Sequence, residues 1–284
     1  MGTMRRPDKE RNMTTSDKDY IVGNKFREIA DYYTIRRLVE HQYVWEVNAD
    51  PMPTHDNIVI YCEQLHWEKT LKIISERPSQ RFILITHNTD DPITPVKLPD
   101  NLKRWFAINV EFKHDKIIPI PIGLENYCIA PYKEELLARI PEPCSRRLNR
   151  AYAGFHITHH TRTPIQELIE NNKICASWSP TSRYDEYINH LKVFAFCLCP
   201  AGNGTDTHRI WEALYSGCIP IVKKHHTHST ISDLPIMFVE DWKEVTAENL
   251  FRTRNELKIK ERSFNLEKLT FKFWENLINK ERST

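Results

Sequence analysis

The chain reads as an α/β protein made of two Rossmann-like units with parallel sheets flanked by helices. Three observations predict this. Apolar runs without polar alternation recur between helical patterns from Asn57 onward, a basic Pro-containing segment splits them into two series, and a glycine turn joins one run to an amphipathic helix. Unbroken runs of Val, Ile and Phe mark strands buried on both faces, which is the habit of parallel sheets.

The elements follow in order. IVIYC (58–62) is a strand, and EQLHWEKTLKIISERP behind it is an amphipathic helix. RFILIT (81–86), WFAINV (105–110) and IIPIPIGL (117–124) are further strands. The prolines of the last suit a strand end or sheet edge, because proline cannot donate to a ladder. PYKEELLARIPEPCSRRLNR (131–150) is expected to be a helix and linker. Alternation then restarts with AYAGFHI (151–157), TPIQELIENN, ICASWS (174–179), SRYDEYINHL, VFAFCLC (193–199), CIPIV (218–222) and IMFVE (236–240). DWKEVTAENL and the charged tail from Arg252 are helical in pattern. The expected division is a disordered segment over 1–20, one Rossmann-like domain over 21–145 and a second, with C-terminal helices, over 146–284. A single large doubly wound sheet is the alternative.

Composition narrows the partners. The formal charge of +2 and pI near 8.1 give no electrostatic reason to expect nucleic acid. The seven cysteines are irregularly spaced, and Cys62, Cys197, Cys199 and Cys218 lie in or beside apolar runs, so buried thiols are expected rather than a disulfide framework. The histidines of GFHITHH and KKHHTHS lack fixed helical spacing and a carboxylate cluster, so no metal site is expected. The polar N-terminus is neither a signal peptide nor a membrane anchor, and the expected location is cytoplasmic.

The most informative stretch is CPAGNGTDTHRIWEALYSGCIPIV, residues 199–222. A buried strand ends at Pro200, AGNGTD turns, and Thr205, Asp206 or Thr207 can cap the helix HRIWEALYS, which Gly217 ends. Ligands in open α/β sheets sit at the carboxyl ends of strands. A glycine turn entering a helix N-terminus presents backbone N–H groups and partial positive charge, which suits phosphate. Gly202 and Gly204 are expected to let backbone approach such a ligand. Arg209 in the first helical turn opposes the helix dipole by about 0.3–1 kcal/mol, which an anion bound there would offset. Glu212, one turn on, can accept from a ribose hydroxyl. For G-x-G alone an ordinary strand–turn–helix reading serves equally well; Arg209 and Glu212 at this spacing tip the balance.

This stretch resembles the C-terminal signature of exostosin-type glycosyltransferases, in which a Pro-Gly turn, an Arg, Glu-Ala-Leu, Gly-Cys and Ile-Pro follow in this order. The resemblance is strong over 193–222, looser over 151–192 and weaker in the N-terminal half. It implies two facing Rossmann domains, the GT-B arrangement, and sugar transfer from a UDP-sugar to a glycan hydroxyl with inversion and no essential metal or other cofactor. The N-terminal domain would then face the acceptor and the C-terminal domain would hold the donor. Arg209 would hold the diphosphate and Glu212 the ribose, while His208 stands where Ser is common in the family and can give phosphate a second donor. Lacking an anchor, the chain is expected to be a microbial or viral member.

Further candidates flank the expected cleft. Thr158 and Arg162 follow the first strand of the second series, and Arg162 can contact the diphosphate bidentately. Inverting transfer needs a base for the acceptor hydroxyl. His87, Asp90 and Asp91 in THNTDDP, and Glu125 in GLEN, end strands of the first series; Asp90 is preferred over His87, although such residues before proline are also ordinary turn formers. Domain closure over the donor would exclude water. The competing reading is a sugar- or nucleotide-binding protein of the same fold without catalysis. A dinucleotide enzyme is a poor fit, since IVIYCEQL carries no glycine.

Overall fold

The computed structural model describes residues 19–39, 42–47, 51–126, 146–157, 159–163, 165–166, 169, 175–176 and 183–284. The expected disordered start up to residue 18, most of the linker and Thr158 lie outside the described residues. By Tyr20 the chain is already in the core.

Among the described residues the strands form two sheets. The first holds β1 (Tyr32–Val39), β2 (Gln42–Val47), β3 (Ile58–Glu63), β4 (Phe82–His87), β5 (Leu102–Ala107) and β6 (Ile117–Pro119), in the order β2-β1-β3-β4-β5-β6. Only the β1–β2 hairpin is antiparallel. The second holds β7 (Leu148–Tyr152), β8 (Cys175–Ala176), β9 (Phe194–Leu198), β10 (Ile219–Lys223) and β11 (Met237–Val239), in the order β11-β10-β9-β7-β8, parallel throughout. Six helices matter here: α1 (Gly23–Glu28), α2 (Trp67–Ser75), α3 (Tyr184–Val193), α4 (His208–Tyr215), α5 (Ala247–Ile259) and α6 (Phe271–Ser283). Separate parallel sheets flanked by helices replace the single-sheet alternative.

The unbroken apolar runs do what their composition requires. Val59 and Tyr61 of β3 enter one core cluster, while Ile58, Ile60 and Cys62 enter another on the opposite face. The β9 run divides likewise, with Cys197 in the first cluster and Phe196 and Leu198 in a third. The first cluster belongs to both sheets: Val59, Ile83 and Phe106 share it with Tyr152, Trp211, Tyr215 and Trp274. β6, with its proline, is an edge strand as expected. The hairpin β1–β2 was not anticipated, because Arg36, Arg37 and Glu46 interrupt its apolar pattern.

α4 ends as its glycine foretells. Gly217 takes φ +65°, its N–H donates to Leu214 O at 3.0 Å, and the Cys218 N–H donates to Ala213 O at 2.8 Å. These are the paired bonds of a Schellman motif. The last helix, α6, returns to the first sheet, where Arg282 pairs with Asp31 and Arg104 Nε lies 3.1 Å from Glu281 Oε2. Cys62, Cys175, Cys197, Cys199 and Cys218 are buried thiols that form no disulfide. No described helix is long and apolar enough to cross a membrane.

Two predictions follow from this architecture. Gly217→Ala puts a Cβ into the left-handed region and should lower stability in urea unfolding by about 1 kcal/mol. The second concerns acid. Burial pushes the pKa of His87 and of His228 down from 6.5 to about 4. Stability that depends on their neutrality is present above pH 6.5 and is lost as pH falls toward 4. Burial pushes Asp206 the other way, from 3.8 up to about 6, so its cost at neutral pH is relieved as pH falls through the same interval. Each group carries on the order of 3 kcal/mol. Two histidines outweigh one aspartate, so unfolding free energy should decline from pH 6.5 to 4, and Asp206→Asn should steepen that decline below pH 6.

Candidate functional site

In the second sheet β7 lies between β8 and β9, so the chain runs outward one way and returns the other. Such a switch point opens a crevice beyond the carboxyl ends of the two central strands. The segments that leave β7 and β9 there carry Phe155 and Arg162 in one case, and Gly202 through Arg209 in the other.

The glycine turn closes on itself, the Gly202 N–H donating to Gly204 O at 3.0 Å. A Cβ on Gly202 would lie 2.9 Å from Arg162 Nη2, and one on Gly204 would lie 2.5 Å from Asn109 Nδ2. These glycines admit protein side chains against the turn. Arg162 anchors there, its Nε donating to Ala201 O at 3.1 Å and its Nη1 to His156 O at 2.8 Å.

Thr207 is the N-cap of α4 and makes no capping bond; its Oγ1 is enclosed without a hydrogen-bond partner. The Arg209 guanidinium lies over the Tyr187 ring at 4.9 Å and the Phe155 ring at 5.9 Å, and its Nη1 is likewise enclosed and unpartnered. Arg162 also stands over Phe155, at 5.8 Å. Burial first, and the Arg209 charge second, push the Arg162 pKa down. Two guanidinium groups thus share one ring beside an uncapped helix N-terminus. Glu212 sits one turn along α4 and accepts from the Tyr187 hydroxyl at 2.8 Å.

Other expected donor contacts have structural partners. Asp206 is buried; its carboxylate accepts from the Ile122 N–H at 2.7 Å and the Trp211 indole at 3.1 Å, while its own N–H donates to Asn109 Oδ1 at 2.8 Å. His208 Nδ1 donates to Gly123 O at 2.8 Å. Thr205 Oγ1 reaches Glu111 Oε1 at 3.4 Å. All three turn toward the first sheet.

The candidate bases separate by exposure. His87 is buried, with Nε2 donating to Pro121 O at 3.0 Å and Nδ1 accepting from the Asn88 N–H at 2.8 Å, so its ring nitrogens are taken up inside the fold. Asp90 is exposed, and Asn203 of the glycine turn donates to its Oδ2 at 3.4 Å. Glu125 is exposed near the end of the same sheet.

Four residues at the site escaped the sequence. Asn109, buried at φ +50°, locks the turn to the first sheet, and Glu111 pairs with Thr205 and with His225 Nε2 at 3.4 Å. Tyr187 and Phe155 supply the ring faces, yet within their segments they read as ordinary core aromatics.

Residues 158–280, which include Arg162, Tyr187 and the stretch from Gly202 to Glu212, match the family model described as the RXYLT1 C-terminal domain. That is a xylosyltransferase-related glycosyltransferase family with an exostosin-like fold, to which this part of the chain is similar.

Proposed function

We propose that the protein is an inverting glycosyltransferase that moves a pentosyl unit, xylose in the first instance, from a UDP-sugar to a hydroxyl of a glycan acceptor. The observation that carries the reading is the pair of enclosed, unpartnered polar groups, Thr207 Oγ1 and Arg209 Nη1, at the uncapped start of α4. Buried donors without partners are costly, so their persistence points to a ligand that completes them. A diphosphate fits, since it meets the helix N-terminus, Arg209 and Arg162 together. Glu212 accepts from the ribose.

In the transfer, the acceptor oxygen attacks the anomeric carbon from the face opposite the leaving group. Asp90 takes the acceptor proton, and the bond from the anomeric carbon to the diphosphate oxygen breaks as UDP departs. The growing charge on the β-phosphate falls on Arg209, Arg162 and the α4 amides; each preorganised donor of this kind is worth about 3–4 kcal/mol. The guanidinium pair provides positive charge where other transferases use a divalent cation, so the reaction is proposed to need none.

Arg209→Ala should abolish transfer and weaken UDP binding in calorimetry while the far-ultraviolet dichroism stays native. Undiminished transfer by that variant would remove the reading. Activity should also survive EDTA; loss restored by Mn²⁺ would reassign the charge stabilisation to a metal ion. UDP binding with no turnover on any of a panel of UDP-sugars and glycans would favour the non-catalytic binding protein.

A further inference from the structure

We propose that Tyr187 is the positioning residue of the donor site, a single side chain that aims both Arg209 and Glu212. The inference rests on the reading of those two residues as donor contacts and adds the group that sets their geometry.

Tyr187 lies on the buried face of α3, near the middle of the helix, and its ring and hydroxyl act on different neighbours. The ring face receives the Arg209 guanidinium at 4.9 Å. A ring face holds a cation electrostatically without consuming any of its N–H donors. A carboxylate in the same place would fix the guanidinium as firmly but would occupy the donors the diphosphate needs. The unpartnered Nη1 of Arg209 is the visible result. Phe155, on the segment after β7, adds a second face at 5.9 Å and limits the guanidinium from another side.

The hydroxyl does the complementary task. It donates to Glu212 Oε2 at 2.8 Å, which leaves Oε1 to face a ribose. Burial holds the phenol well above its usual pKa, so the group stays a donor at any pH the fold tolerates. Arg209 and Glu212 stand three residues apart on α4, close enough to pair with each other and cancel. Tyr187 stands against both, and its contacts keep each directed at its own part of the donor.

Ring and hydroxyl can be separated by substitution. Tyr187→Phe keeps the face and removes the donor to Glu212. Donor KM should rise about tenfold, the effect of losing one hydrogen bond to a charged group, with kcat within about twofold, because ribose binding is common to ground and transition states. Tyr187→Leu removes the face as well; kcat should fall at least about tenfold further, since Arg209 meets its full charge only as UDP leaves. Calorimetry with UDP should show weaker binding in both variants relative to the parent.

If Tyr187 only fills the core, Tyr187→Phe will leave donor KM and the UDP dissociation constant within about twofold of the parent, and any loss in Tyr187→Leu will track a fall in melting temperature. Either result overturns the proposal. Should Tyr187→Leu fail to fold, the KM change in Tyr187→Phe decides alone. Arg209→Ala run alongside separates the two levels: UDP affinity undiminished there sinks the donor site itself, whereas lost affinity there with a silent Tyr187→Phe sinks only the role of Tyr187.

Discussion

The buried carboxylate of Asp206 is the constraint on which the site depends. It stands at the end of the glycine turn, one residue before the cap of α4, and it grips the Ile122 N–H just beyond β6 and the Trp211 indole of α4. Asn109 completes the knot by accepting the Asp206 N–H from the far side. A carboxylate withdrawn from water is expensive, and the charge-assisted bonds from the Ile122 N–H and the Trp211 indole are what make the burial tolerable. The return is geometric: the turn that carries the start of α4 cannot drift from the first sheet while these bonds hold.

The same fixity extends along the seam. Val110 N–H donates to Thr227 Oγ1 at 2.8 Å, Thr230 Oγ1 to Pro119 O at 2.9 Å, and Ile21 N–H to the Tyr215 hydroxyl at 3.3 Å. Under them runs a continuous apolar cluster drawn from both sheets. Arg209 and Asp90 therefore stand on segments joined by direct bonds, through Asn203 at the surface and Asn109 beneath. The constellation proposed above would gain from such rigidity, because small displacements of charged groups cost much of their effect.

Much of this was legible beforehand, for a reason that lies in particular residues. β3, β4, β9 and β10 announce themselves because strands buried on both faces leave no room for polar alternation. Gly217 marked the end of α4 because only glycine takes that φ cheaply. The hairpin β1–β2 stayed hidden, since a strand pair at the rim of a sheet carries arginines and a glutamate that break the apolar signal. In the candidate site, Arg209 stood out as a cation in the first turn of a helix, Glu212 by its place one turn on, and Arg162 by following the first strand of the second series. Asp206 and His208 share the motif with them yet face the opposite sheet, and no spacing rule tells which way a turn residue points. Gly202 and Gly204 were legible as necessary glycines, while the Arg162 and Asn109 side chains that require them come from 40 and 95 residues away in sequence.

The return of α6 to the first sheet bears on how the protein is made. Arg282 reaches Asp31 across a separation of 251 residues, and Asn57 Nδ2 donates to Arg282 O at 3.0 Å. During synthesis the first sheet emerges with that flank bare and must wait for the second sheet to follow before its cover arrives. Folding of the first sheet is thus coupled to synthesis of α6, and a chain cut before α6 leaves a sheet with exposed apolar surface, the kind of species chaperones and proteases remove.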